Sequence, residues 1–436
     1  MEKNDAIVVG GGLGGLTTAA LLAEAGKRVV LFERSESLGG RAKTTIDDGF
    51  HLNLGPHAWY LGGPGTKVLK RLGVPLNGAI PRPVGAFAFY DERLYTLPIG
   101  LISLLTTDLL SMSGKLELAR VLGAVKKMST AGLEHVPLEA WVRDRIHDER
   151  ARAYVETVIR VASYADAPEL LSAKAGIDAL QLVFSHNVSY LDSGWQQIVD
   201  ALHVRAHSLG VRIMTSMPIK EVVHHTQVYG VRLEDGGFIS APHVIVAADP
   251  PTVRRLLPNT PTSVAAQWSP TPAKAAVLDV ALAGLPRPAN ILAFGIDRPL
   301  YYSVHSATAK LAPEGGAVIH AAKYLNPLDT HDPRKDERQL ERLLDMMQPG
   351  WREQIVTRRF LPAMTVTNAI PTAAMGGLAG RAGVEVKEIP GLYIVGDWVG
   401  SEGTLANAAV ASAALAAKLM TESPAKAGLH NEKIAV

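Results

Sequence analysis

Cysteine is missing from all 436 residues, which excludes disulfides, thiolate metal sites, iron–sulfur clusters and any thioether-linked prosthetic group. An excess of one charge is missing too: 44 Lys and Arg stand against 42 Asp and Glu, so the chain carries no electrostatic footprint for nucleic acid. No run of 18 or more residues is apolar enough to span a bilayer. The apolar stretch from Ala6 to Ala23 is broken by glycines and preceded by Glu2 and Asp5 beside a single Lys3, which argues against a secretory signal and for a cytoplasmic setting. His224 with His225, and His203 with His207, lack a third ligand or a neighbouring catalytic glutamate, so no metal is expected.

What is present suits an ordinary globular protein with a sizeable core, since 47% of residues are hydrophobic and 20% charged. A chain of this length predicts two domains. The opening reads as strand Ala6–Val9, a glycine turn over Gly10–Gly15, a helix over Leu16–Ala25 ended by Gly26, and a strand over Arg28–Phe32. A second unit places Ile198, Leu202 and Ala206 on a helix, then Gly210 and a strand over Val211–Met214. Strands near Val222–His224 and Val228–Leu233, a turn at Asp235-Gly236-Gly237 and a strand over Val244–Ala247 follow. The last unit is a buried strand, Leu392–Val395, then Gly396-Asp397 and an alanine-rich helix over Leu405–Met420. The polar tail after Thr421 is expected to be poorly ordered.

Gly10, Gly12 and Gly15 form G-x-G-x-x-G between a strand and a helix. That order supplies a tight turn, close backbone approach to a pyrophosphate, and tight helix–strand packing, with the helix N-terminus facing the negative charge. Leu13 and Gly14 lie within the same turn. Glu33 ends the second strand 18 residues after Gly15, where a carboxylate accepts hydrogen bonds from ribose hydroxyls, and Arg34 follows it. Gly39-Gly40-Arg41 then offers backbone without side chains and a fixed guanidinium. The alternative for Glu33 is a surface carboxylate beside a vestigial loop.

With these motifs the chain resembles the FAD-dependent amine oxidase and phytoene desaturase superfamily, in which the glycine fingerprint is followed by an acidic residue and then G-G-R. The resemblance covers both termini and the middle unit. It implies an α/β fold with a Rossmann-type, glutathione-reductase-like FAD-binding domain from residues 1–80, 193–253 and 375–436. A discontinuous, mixed α+β substrate domain would come from 81–192, mainly helical between Ile99 and Arg160, and from 254–374. The latter reads as strands over Ala275–Ala283 and Ala317–Ala322 and a helix over Glu337–Met347. Non-covalent FAD is the implied cofactor.

By the same resemblance Gly55, Pro56 and His57 pass beside the isoalloxazine, with His57 the candidate catalytic side chain or else a turn histidine bonded to backbone. Tyr190–Gly194 marks the return into the FAD domain, although Trp195 stands where desaturases often carry a second glycine. Val222 and Ala247 would border the adenine, the alternative for Val222 being core. Gly396 and Asp397 would meet the ribityl chain, and Leu405, Ala406 and Asn407 would aim a helix N-terminus at the flavin. Gly377–Gly380 reads as loop, and Gly62–Lys67 is not a P-loop, so no second nucleotide site is expected. The implied activity is dehydrogenation or desaturation of an apolar, isoprenoid-like small molecule, with O2 or a quinone as acceptor. A flavin amine oxidase, and a flavin-free prenyl-binding escort protein, are the alternatives. No lysine stands in the strand over Ala275–Ala283, where many amine oxidases place one near the flavin. Leu97–Leu110, followed by Lys115, Arg120, Lys126 and Lys127, is either a packed lid or a surface that docks on a membrane.

Overall fold

The computed structural model describes residues 4–82 and 84–422, so the polar tail lies, beyond Glu422, outside the described residues. Five short strands form one parallel sheet: β1 (Ala6–Val9), β2 (Val29–Phe32), β3 (Arg212–Met214), β4 (Val244–Val246) and β5 (Leu392–Ile394), in the order β3-β2-β1-β4-β5. β1 pairs Ile7 with Val30 on one side and with Val244 on the other. Residues of β1, β2, β4 and β5 are all buried, as expected where helices cover both faces of a parallel sheet. Helix α1 (Leu13–Glu24) packs between the sheet, α2 (Gln196–Ser208) and α3 (Leu405–Glu422), which is why eleven of its residues are buried.

Helix α1 begins three residues earlier than the periodicity predicts, because Gly12 takes an extended N-cap conformation and the glycines after it form the first helical turn. Gly10, with φ of 109°, makes the turn out of β1 in the left-handed region that glycine tolerates. The strands Ile219–His224 and Val228–Leu233 gain a third partner, Phe238–Ser240, across the turn at Asp235-Gly236-Gly237. Side chains of Val253, Leu256, Val264 and Trp268 join the core of the parallel sheet.

The other body is built on a seven-stranded sheet in the order Ile355–Thr367, Ala273–Leu282, Ala317–Leu325, Leu300–Val304, Leu292–Gly295, Ala86–Tyr90 and Arg93–Thr96. Two of its strands thus precede the helical stretch of the first insertion. That stretch comprises Leu101–Thr106, Met112–Val125, Leu138–Arg145 and Glu149–Ser163. The helix predicted over Glu337–Met347 starts at Pro333, behind an Asp332 N-cap whose carboxylate accepts from the Arg334 amide at 2.9 Å.

Candidate cofactor-binding site

A cavity of about 570 Å³ runs along the C-terminal ends of the parallel strands and on to the seven-stranded sheet, where open α/β sheets bind ligands. Its wall includes Gly10, Gly12, Leu13, Gly14, Glu33, Arg34, Gly40, Arg41, Pro56, His57, Ala247, Gly396, Asp397, Leu405, Ala406 and Asn407. The glycines divide by role. A Cβ on Gly10 would sit 2.3 Å from the Ala247 carbonyl oxygen, and one on Gly15 would sit 1.9 Å from that of Gly10. Both are there for backbone packing, and Gly15 is not on the wall. A Cβ on Gly12 would meet nothing nearer than the Gly39 oxygen at 4.0 Å, so that position is shaped to let something other than protein approach the start of α1. No side-chain oxygen caps α1, and its first-turn amides suit a phosphate.

Glu33 accepts from the Gly11 amide at 2.7 Å through Oε2 and from the Ser35 amide at 2.9 Å through Oε1. The carboxylate therefore braces the glycine turn while facing the cavity. Arg41 and Asp397, read from the sequence as separate ligand contacts, are partners: Arg41 Nη1 donates to Asp397 Oδ2 at 2.8 Å and to the Val366 carbonyl at 2.9 Å. Asp397 also accepts from the Asn368 amide at 3.1 Å and from Asn368 Nδ2 at 2.9 Å. Burial pushes the Asp397 carboxyl upward, yet the Arg41 guanidinium and the Asn368 donors outweigh it and hold the group below the usual carboxylate range.

His57 Nδ1 lies 3.0 Å from the Gly55 carbonyl and Nε2 3.1 Å from that of Arg41. Two carbonyl partners favour the imidazolium, but burial is the larger influence and lowers the ring's pKa. The Trp195 ring meets His57 edge-on with centroids 4.7 Å apart, so the tryptophan that departs from the desaturase pattern forms part of the wall beside it.

Three positions depart from the sequence reading. Gly55 is not on the wall; with φ of 80° it turns its amide to Asp279 Oδ2 at 3.3 Å, behind the cavity. Val222 is 4% exposed in the core of the three-stranded sheet, because the chain reaches the cavity just before that strand's interior, through Met217, Pro218 and Ile219. Asn407 reaches the wall, but its carboxamide serves the protein, accepting from the Gly65 amide at 2.9 Å and donating to the Tyr60 carbonyl at 3.2 Å. The sequence reading missed Tyr164, Met364, Thr365, Val366 and Asn368 on the wall; they lie inside insertions whose patterns carry no nucleotide signature. Gly377–Gly380 is a short 3₁₀ turn.

A sheet, a glycine turn and a carboxylate in this arrangement define a dinucleotide-binding protein of the Rossmann type. Residues 13–421 match the family described as flavin containing amine oxidoreductase, and the chain belongs to it. It is a flavin-dependent oxidoreductase, and its cofactor is FAD. Among curated relatives, a carotenoid 3,4-desaturase of Haloarcula japonica is 54% identical over 61 residues, 14% of this chain and 12% of that protein. A 4,4'-diapolycopen-4-al dehydrogenase of Metabacillus indicus is 21% identical over 408 residues, 80% of this chain and 81% of its own. Among solved structures, an oxidoreductase from Methanosarcina mazei superposes with a TM-score of 0.76 at 19% identity, covering 95% of this chain and 99% of that one; at that identity the likeness concerns the fold alone.

Proposed function

We propose that the protein is a dehydrogenase or desaturase of an apolar, isoprenoid-like substrate, with non-covalent FAD held along the cavity by the α1 N-terminus, Glu33, Arg41 and Asp397. Bound FAD supplies the two-electron redox step. The chain's part is to hold it and to place a substrate carbon against it. The parallel sheet and its helices form the cofactor domain in this reading, and the seven-stranded sheet with the helices of the first insertion forms the substrate domain.

The observation that carries the substrate class is the wall that the second body contributes. Tyr164, Met364, Thr365 and Val366 are uncharged, and behind them Val277, Tyr301, Ala322 and Tyr324 pack in one apolar cluster with Phe294 and Leu361. Asp397, which the parallel-sheet body contributes just beyond β5, is already paired with Arg41. An ammonium substrate would find no carboxylate among Tyr164, Met364, Thr365 and Val366, whereas a hydrocarbon chain would gain by leaving water there. The intact Arg41–Asp397 pair likewise supports an enzyme over a flavin-free escort protein.

The test is anaerobic bleaching of the purified flavoprotein by detergent-dispersed acyclic polyenes and by primary and secondary amines. Polyenes are expected to reduce the flavin. Faster bleaching by amines would replace this reading with amine oxidation.

A further inference from the structure

A buried charge cluster lies behind the cavity wall. On strand Ala273–Leu282, second from one edge of the seven-stranded sheet, Asp279 stands in register with His320 on one neighbouring strand and with Arg359 on the other. Asp279 and His320 are 0% exposed. Oδ1 of Asp279 accepts from His320 Nδ1 at 2.6 Å. Oδ2 accepts from Arg359 Nη2 at 2.6 Å, from Arg359 Nε at 3.2 Å and from the Gly55 amide at 3.3 Å. Arg359 continues outward: Nη2 donates to the Asn53 carbonyl and Nη1 to Thr45 Oγ1 at 3.2 Å.

An apolar pair of similar volume fills such a site at least as stably, because desolvating two charges offsets most of their attraction. The forked guanidinium offers something an apolar pair lacks, which is direction. The guanidinium reaches the Asn53 carbonyl and Asp279 holds the Gly55 amide, so together they grip the start and middle of the segment 53–57, whose far end carries Pro56 and His57 on the cavity wall. The strand that holds Arg359 also holds Val366, the acceptor for Arg41, and the Arg41 carbonyl faces His57 Nε2. One strand thus grips the segment at its start and, through Arg41, at its end.

We propose that Asp279 and Arg359 are positioning residues for the flavin: without reaching the cavity, they fix the 53–57 segment and the His57 ring against the cofactor. This rests on the cavity being the flavin site. Two variants test it, Arg359→Lys, which keeps the charge and loses the fork, and the double variant Asp279→Leu, Arg359→Leu, which removes both charges. The readouts are thermal melting, amide hydrogen exchange of segment 53–57 in flavin-free protein, the FAD dissociation constant, and the visible absorption bands of bound flavin. The double variant is expected to melt below the wild type, because it strips the buried His320 Nδ1 of its acceptor, while exchange of segment 53–57 and the FAD dissociation constant each rise about tenfold, equal to roughly 1.4 kcal/mol, and the flavin bands shift. Arg359→Lys is expected to change the same readouts in the same direction, and it decides alone if the double variant does not fold. Unchanged exchange, affinity and spectrum in folded variants would reduce the pair to a structural role and overturn the proposal. A wild type that binds no FAD would overturn the cofactor site instead, leaving the exchange measurement to decide on the clamp.

Discussion

Both ring nitrogens of His305 are buried without a hydrogen-bond partner, in a side chain 1% exposed and stacked on Tyr190 with centroids 3.9 Å apart. Burial, then the neighbouring His320 and His57, holds its pKa well below the ordinary histidine value. Burial lowers His57 as well. The unfolded chain therefore binds more protons than the folded one below about pH 6.5. Stability is fully present above that pH and declines as the pH falls, by up to about 1.4 kcal/mol per pH unit from His305. Urea unfolding between pH 7.5 and 5 is the check; His305→Phe should flatten the slope, and an unaltered slope would contradict the assignment. The carboxyls of Asp279 and Asp397 are held low, so what they contribute is lost only as the pH falls below about 4. Glu33→Ala should weaken FAD binding by roughly 1–3 kcal/mol, because it removes a charge-assisted acceptor and frees the Gly11 amide; titration of flavin-free protein with FAD measures it, and unchanged affinity would exclude Glu33 from the site. Glu33 and Asp397 were legible in the sequence because each follows a buried strand at a fixed distance from a glycine. The bond between Arg41 and Asp397, 356 residues apart, was not, since no local pattern encodes a contact of that range.

The strands of the parallel sheet were legible for a related reason: they are short runs rich in apolar residues, and all but Val244–Val246 have a glycine at or near one end. Ile355–Thr367 escaped because it is an edge strand, half exposed along much of its length and interrupted by Pro362, a composition that reads as loop. That strand also carries a charge that the sequence reading did not weigh. No lysine faces the cavity from Ala273–Leu282: Lys274 is exposed at its start, and Lys323, on the next strand, is bound to Asp336 at 2.6 Å. A cation does come close, the Arg359 guanidinium, but it is spoken for by Asp279. Reoxidation of the photoreduced enzyme should therefore be slower with dissolved oxygen than with a benzoquinone, and stopped-flow traces with each acceptor measure both rates; oxygen winning would assign some other cation to the flavin. Because Gly377–Gly380 is a turn with no preceding strand, NADH and NADPH should not bleach the oxidised protein rapidly in the same instrument.

On one side of the protein, Leu101, Ile102, Leu105, Met112 and Leu116 are each at least 60% exposed, on two short helices where Lys115 donates to the Leu105 carbonyl. Lys126, at the C-terminal end of the second of these helices, stands over the Phe184 ring, 5.6 Å from its centroid. No helix among the described residues is long and apolar enough to cross a membrane. An apolar face with lysines on the same helix suits contact with an anionic bilayer surface, and a substrate dissolved in lipid would give that contact a purpose. Flotation with anionic vesicles is expected to carry the wild type upward and to leave Lys126→Glu, Lys127→Glu behind; if neither floats, the face has another use. A different consequence follows from the order of the parallel strands. β1 opens the described chain, yet β5 arrives at residue 392, after the whole second body. At 5–20 residues per second the ribosome takes roughly 20–80 s to travel from one to the other. Through that interval the glycine turn has no α3 above it and the sheet has an open edge, a state prone to wrong pairing. The surroundings of the glycine turn are thus complete only once Leu405–Glu422 is made, and recovery of holoprotein on expression should depend on how well that half-made sheet is sheltered.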